Sequence, residues 1–302
     1  MASLPLARVL APAKVNLALH VVGRRLDGYH SLDSLVVFAD LGDLVEALPA
    51  DADAPPLTIE GPFAAGLAAD SDNLVLRAAM IFAAHYPGAA IPPLRLEKRL
   101  PLASGIGGGS ADGAATLRLL AALNGIRDEA GLAACALKLG ADGPMCLVSR
   151  PLRARGIGEA IDAWDGLPDV HMVLANPGIG VSTPAVFRRL ERVDNPPLPD
   201  SLPAFRDAAA LAGFLASETR NDLAGPARLE APVIATVEDR LMGSAGCLFA
   251  RMSGSGATVF GLFADRAAAE RAAAALSQEH PSWWVRYAAL AGSGIGAVSR
   301  AG

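Results

Sequence analysis

The chain has 302 residues, 52% of them hydrophobic and 19% charged, with a formal net charge of −5. That length suggests two domains, that apolar content excludes a disordered chain, and the acidic balance disfavours nucleic acid as a partner, since nucleic acid calls for a broad basic face. Every apolar run is broken by Gly, Pro or charge before the roughly 20 residues of a membrane span, and the start, "MASLPLARVLAPAKVN", lacks the core of a signal peptide, so no membrane partner and a cytoplasmic location are expected.

In chain order, "AKVNLALHVV" (13–22) alternates, with Val15, Leu17, Leu19 and Val21 on one face and Lys14, Asn16 and His20 on the other. This predicts a half-buried strand with a polar edge. "RRLDGYH" supplies the turn pair Asp27-Gly28 for a hairpin that returns through "LDSLVVFADL". Short strands follow near 43–48 and 57–60, then a helix over 73–88 closed by Pro87-Gly88. A strand at 93–101 delivers the chain into a glycine loop, and Ser110 is the expected cap of a helix that Asn124-Gly125 ends. A helix over 129–140 leads to "ADGPM", where Asp142 is placed to open a further helical turn. Strands are expected around 152–165 and 169–176, then a helix over 181–192 capped by Ser182. The proline-rich 194–203 is a loop, and helices follow at 204–216 and 231–242. From 247 onward the order is β-β-α-β, part of a split β-α-β arrangement of the ferredoxin-like kind. The pattern is α+β in two parts.

Positive charge is almost all arginine; only Lys14, Lys98 and Lys138 are lysine. In such a chain a retained lysine is more often needed as a compact ammonium, although Lys138 on a helix reads as a solvated surface residue. Cys135, Cys146 and Cys247 lack metal-ligand spacing and read as buried thiols. His20, His85, His171 and His280 show no ligand-like clustering and read as structural.

The stretch "PLASGIGGGSADGAATL" (101–117) raises a choice between a floppy connector and an anion cradle. It is no Rossmann fingerprint, because Ser110 stands where a third glycine is needed. Nor is it a P-loop, because Ser110-Ala111-Asp112 replaces the Gly-Lys-Ser/Thr ending. Bare amides at Gly105, Gly107, Gly108 and Gly109 can still curl into a nest for phosphate, with the positive end of a helix dipole behind them.

This stretch resembles the ATP loop of the GHMP kinases. Two further segments, "AKVNL" and "MSGSGATVF" (252–260), are similar to that family's other motifs and come in its order. Within the family, "DGYH", "GADGPM", "GVSTPAVF" and "RNDL" resemble the members that act on a cytidine-diphosphate-linked methylerythritol. The resemblance implies a two-domain fold: an N-terminal ribosomal-protein-like α/β domain over 1–165, a C-terminal ferredoxin-like α+β domain over 166–302, and an active site in the cleft between them. It implies an ATP-dependent kinase with Mg²⁺, working on a small-molecule alcohol in the non-mevalonate isoprenoid route. It also implies that the loop Pro101, Leu102, Ala103, Ser104, Gly105, Ile106, Gly107, Gly108, Gly109, Ser110 and Ala111 cradles the triphosphate, with Lys98 near the adenine.

By the same resemblance Asp142 is the general base and Lys14 sits beside it. From the residues alone they read as a helix cap and a strand-surface charge. Tyr29 and Phe187 are implied to sandwich the cytosine while His30 reads its polar edge, with Asn16 and Thr183 bonding nearby polar groups. Gly254, Ser255 and Gly256 are implied to close over substrate phosphates, their alternative being a plain hairpin turn. "GSGIG" (292–296) is like that motif only in composition.

The chain departs from the family at Ala103-Ser104, where glycines are common, and at Gly143, Met145 and Cys146. Gly113 inside the motif helix costs about 1 kcal/mol relative to Ala. No acidic Mg²⁺ ligand stands out, which leaves ATP phosphates and Ser110 as the holders. A GHMP kinase for a smaller alcohol and a non-catalytic ligand-binding regulator remain alternatives, as do monomer and homodimer.

Overall fold

The computed structural model describes residues 4–50, 53–290 and 296–300. Two long strands, β1 (Ala7–Arg24) and β2 (His30–Ala47), pair antiparallel about the Asp27-Gly28 turn, where Gly28 adopts φ +89°. The strand expected near 43–48 is the second half of β2. Next come β3 (Leu57–Glu60), α1 (Leu74–His85), which Asn73 caps, and β4 (Leu94–Glu97). Three helices follow: α2 (Gly108–Leu123), α3 (Glu129–Leu139) and α4 (Gly143–Val148). The first half closes with β5 (Leu152–Gly156) and β6 (Ala160–Ala163).

The second half runs β7 (His171–Asn176), α5 (Thr183–Arg188), α6 (Ala208–Glu218), α7 (Ala224–Glu230) and α8 (Val233–Met242). It ends with β8 (Cys247–Met252), β9 (Val259–Phe263), α9 (Arg266–Glu279), β10 (Trp284–Ala289) and β11 (Ser299–Arg300). Ser182 caps α5 as its position suggests. The short α7 escapes a sequence reading because Gly225-Pro226 looks like a break, although proline is tolerated in a first helical turn.

Two sheets organise the chain. One follows the order β11-β1-β2-β4-β3 with β5 and β6 attached through β2; the other is the antiparallel β10-β7-β9-β8. The second, with α8 and α9 on its connections, is the ferredoxin-like split β-α-β arrangement. The expected boundary at 165/166 falls between β6 and β7. The last strand, β11, crosses back and pairs Ala7 with Arg300 in the first sheet. Residues 292–295 of the "GSGIG" stretch lie outside the described residues. Among the described residues no helix is long and apolar enough to cross a membrane.

The expectation of a polar edge on β1 is overturned. Lys14, Asn16 and His20 are 6%, 3% and 0% exposed, as buried as their apolar neighbours. The cause lies far along the chain: the second sheet packs on this strand, so Val15 and Leu17 share one core with Leu174, Phe260 and Leu262. Irregularities at Pro12/Lys14, Asn16/Ala18 and Val21/Gly23 break the strict two-residue alternation. β1 therefore carries its polar side chains into the seam between the sheets, where buried polar groups need partners.

Candidate active site

The loop 101–111 joins β4 to α2, and its local geometry differs from the expected Ser110 cap. The helix starts at Gly108, with Gly107 as its N-cap at φ +67° and no side chain capping it. A left-handed N-cap costs glycine little and other residues more, which is why the start lies three residues earlier than a serine-based reading places it. The amides of Gly108, Gly109 and Ser110 have no intrahelical acceptor, so the positive end of the helix is left open to an anion.

The loop faces a cleft of about 690 Å³ lined by Pro101–Gly105, Gly107–Ser110, Lys14, Asn16 and Asp142. Ile106 and Ala111 do not line it; both side chains are buried in the cores. The Ile106 carbonyl instead accepts the Lys14 amide at 2.9 Å, fixing β1 to the loop.

Lys14 runs beneath the loop: a Cβ placed on Gly107 would lie 3.1 Å from Lys14 Cε. Its Nζ donates to Asp142 Oδ2 at 2.9 Å, with side chains 7% and 36% exposed respectively. Asp142 sits at the N-cap position of α4, yet its carboxylate makes no cap bond. It is turned to the ammonium instead. Burial pulls the Lys14 ammonium down, but the Asp142 charge and hydrogen bond prevail and raise its pKa. Nearby, burial and then the Asp142 charge push the Cys146 thiol up to about 12, which leaves it inert at neutral pH.

Lys98 is neither a solvated strand end nor partnered by Glu97, which bonds Arg99 at 2.6 Å. It is buried under the loop, donating to Asp112 Oδ2 at 2.8 Å and to Asp43 Oδ2. Asp43 Oδ1 in turn accepts the amides of Arg99 and Leu100 at 2.6 and 2.8 Å, which anchors the loop's entry. A Cβ on Gly108 would lie 3.1 Å from Lys98 Nζ. Burial, opposed by the Lys98 charge and aided by the Asp43 carboxylate, holds the Asp112 carboxyl well above the usual carboxylate range. Sequence reasoning missed Asp43 and Asp112; the signal was a carboxylate set inside otherwise apolar stretches.

The "SGSG" motif braces the loop. Ser253 Oγ accepts the Asn16 amide and donates to the Gly105 carbonyl, each at 3.1 Å, and the Thr258 amide donates to the Ser104 carbonyl at 3.1 Å. Gly105 has no room for a side chain, since its Cβ would lie 2.6 Å from the Ser253 carbonyl oxygen. Gly254 and Ser255 line the cleft, whereas Gly256 turns inward toward Met252 and Ile234. Asn221, of "RNDL", holds the motif by donating to the Met252 and Gly254 carbonyls at 2.8 and 2.9 Å. Asn16 lines the cleft; its Nδ2 donates to Ser34 Oγ at 2.7 Å while its Oδ1 is buried without a partner among the described residues.

A second cavity of about 740 Å³ opens between the β1–β2 hairpin and α5. Ser110, Asp142, Thr183 and Phe187 line both cavities. Tyr29 and Phe187, implied to sandwich a cytosine, both line this second cavity. His30 stacks on Phe187 at 4.9 Å and 24°, and Tyr29 is 60% exposed at the hairpin tip. Tyr29 lines the same cavity from the side, because a turn residue points outward while His30, first in β2, points back along the sheet. Burial, then the Arg24 charge, lowers the His30 pKa, so the ring is neutral at pH 7. Thr183 Oγ1 and Ser255 Oγ share a hydrogen bond of 2.7 Å at the junction.

Comparison with known proteins agrees with this geometry. The profile of the GHMP kinases N terminal domain matches residues 73–150, and that of the GHMP kinases C terminal matches 201–282. The chain is 54% identical over 284 residues to the 4-diphosphocytidyl-2-C-methyl-D-erythritol kinase of Paracoccus denitrificans, covering 94% of this chain and 97% of that protein. It is 56% identical over 279 residues to the kinase of the same name from Rhizobium etli, covering 91% of each. A crystal structure of 4-(cytidine 5'-diphospho)-2C-methyl-D-erythritol kinase superposes with a TM-score of 0.75 at 35% identity, covering 95% of this chain and 100% of that one. A mevalonate kinase structure gives a TM-score of 0.67 at 10% identity over 94% of this chain and 98% of its own, a likeness of fold alone.

Proposed function

The chain belongs to the GHMP kinases, and from that membership we propose that it transfers the terminal phosphoryl group of ATP to the 2-hydroxyl of 4-diphosphocytidyl-2-C-methyl-D-erythritol, in the non-mevalonate route to isoprenoid precursors. The observation that carries the assignment is Asp142, paired with Lys14 and lining both cavities. One cavity offers amides and a helix terminus to a triphosphate; the other offers rings to a nucleobase.

Phosphoryl transfer passes through a loose transition state, so positioning and charge stabilisation outweigh covalent chemistry. The amides of Gly108, Gly109 and Ser110 hold the donor phosphates. The acceptor hydroxyl lies against Asp142: its oxygen bonds to the terminal phosphorus as the bridging oxygen of ATP departs with ADP, and its proton passes to the Asp142 carboxylate. Lys14 pairs with that carboxylate and faces the negative charge that builds on the transferring group. An ionised carboxylate suffices as base because the proton leaves late along such a path.

Phe187 and His30 receive the cytosine, with Tyr29 closing from the hairpin tip. Asn16, Thr183 and Ser255 bond the polar groups between base and acceptor.

Among the described residues no group of three or more His, Cys, Asp or Glu side chains lies together as a metal cage. Mg²⁺ would arrive on the triphosphate, with the Ser110 hydroxyl, which lines the cleft, as its protein contact. Such an ion supplies neutralisation of phosphate charge. The free thiols at Cys135, Cys146 and Cys247 support work in the reducing cytoplasm.

The test is ADP release by the purified protein with ATP and Mg²⁺, with and without the cytidylated methylerythritol, and ³¹P NMR of the product. A new phosphomonoester on the methylerythritol is expected. ATP turnover independent of that alcohol, or none at all, overturns the assignment.

A further inference from the structure

We propose that Arg118 is a positioning residue for the transfer: its guanidinium joins the three elements that carry the phosphate loop, the base and the lysine, and so sets their spacing. The inference rests on the function proposed above. Arg118 lies on α2, eight residues beyond Ser110, or about two turns along the helix. Its Nη1 donates to the Cys146 and Leu147 carbonyls at 2.7 and 3.2 Å and to Ser149 Oγ at 3.1 Å. Its Nη2 donates to the Leu10 carbonyl at 3.1 Å. Cys146 and Leu147 belong to the last turn of α4, whose first flanking residue is Asp142. Leu10 lies four residues before Lys14 on β1.

The chemistry favours a role beyond packing. No carboxylate lies within ion-pair distance of Arg118 among the described residues, and its Nε has no partner. Burial pulls the guanidinium down to about 10, so it is still charged at neutral pH. A desolvated charge without a counter-ion is costly, and an apolar side chain would fill the space without that cost. What the planar fork adds is direction: it satisfies several acceptors on two separate elements at once. Those acceptors include open carbonyls at the C-terminal end of α4, where positive charge is favourable. A six-residue helix does not hold its own geometry. Fixing one end of α4 to α2 and β1 fixes the place of Asp142 at the other.

Displacing a reacting group by about 1 Å can cost on the order of 10² in rate. The wild type is assayed first with ATP and the cytidylated methylerythritol; failure to turn over that pair defeats the function proposed above, independently of Arg118. With an active wild type, R118K and R118Q are compared by kcat, by KM for each substrate and by circular dichroism. Folded variants with kcat lowered about 10–100-fold and KM for ATP within about threefold are expected. In a double-mutant cycle, R118K adds little to the loss in D142N, because there is no base left to aim. A folded R118K or R118Q with kcat within about twofold of wild type, or an R118K loss that multiplies fully with D142N, overturns the proposal. So does failure of both variants to fold, since the guanidinium then serves the fold and not the reaction.

Discussion

Asp142→Asn removes a charge and almost no volume, so it isolates what the carboxylate does. General-base assistance is worth roughly 10²–10⁴-fold, about 3–5 kcal/mol of barrier, and kcat is expected to fall by that factor. KM for ATP is expected to stay within a few-fold, because the proposed phosphate contacts at Gly108, Gly109 and Ser110 do not involve Asp142. Stability changes too. Lys14 Nζ, with its side chain 7% exposed, loses its anion at 2.9 Å. Stranding one partner of a buried pair costs about 3–5 kcal/mol. Asp142 is 36% exposed, so water screens this pair and about 1–3 kcal/mol is the reasonable share.

The pH dependence then changes sign. In the wild type the Lys14 pKa is raised above 10.5, so the pair's contribution is complete below that value and lost only as pH climbs through the folded pKa. In D142N the Asp142 charge and hydrogen bond are gone, burial outweighs what remains, and that pKa falls. The variant is then penalised at neutral pH and recovers as pH rises toward about 10. Steady-state ADP release gives kcat, calorimetry with a non-hydrolysable ATP analogue gives nucleotide affinity, and Tm against pH gives the linkage. A D142N enzyme with kcat within tenfold of wild type, or with its loss confined to ATP affinity, refutes the base assignment.

Three other substitutions probe separate parts of the site. Phe187→Ala removes the ring on which His30 stacks at 4.9 Å; a lost aromatic stack of about 0.5–1.5 kcal/mol raises KM for the cytidylated substrate about 2–13-fold, with KM for ATP unchanged in the same kinetics. Gly107→Ala forces a side chain into φ +67° with its Cβ 3.1 Å from Lys14 Cε. A cost of about 1–2 kcal/mol lowers Tm by about 2–6 °C, and kcat falls as Lys14 shifts; unchanged Tm and kcat speak against the tight passage beneath the loop. Asp112→Asn tests the raised carboxyl pKa. A raised native pKa makes the wild type lose stability as pH rises from the unfolded value near 3.9 through the folded one. The variant should therefore match or exceed the wild-type Tm at pH 7–8, and a clear fall there contradicts the assignment.

Local chemistry was what the sequence could carry. The Asp27-Gly28 turn, the Ser182 cap and the β-β-α-β run each depend on neighbours within a few residues, and each is found where its pattern falls. The glycine loop was legible for the same reason, although its helix start was not. A side-chain cap leaves a letter in the sequence, whereas a left-handed glycine such as Gly107 cannot be told from the glycines around it. Burial of both faces of β1 was hidden because it depends on a sheet that begins more than 140 residues later. The His30–Phe187 stack and the reach of Arg118 to α4 and β1 are likewise contacts between distant segments, for which periodicity has no signal.

On the proposed function, such distant contacts also bear on how a chain with net charge −5 holds a polyanion. The lysine nearest the helix start, Lys98, is bonded to Asp43 and Asp112 and carries no free positive charge to the cleft. Lys14 is likewise bonded to Asp142. What remains to face the phosphates is mostly dipolar: amides at the start of α2 and the aligned peptides behind them. Dipoles fixed by the fold need no rearrangement as charge builds in the transition state. Their value depends entirely on being held in place. The Ser253 and Asn221 brace, the Asp43 anchor at the loop's entry and the Arg118 tie between α2, α4 and β1 supply that rigidity. On the proposed function, much of the electrostatics of the site therefore rests on residues that do not line the cleft.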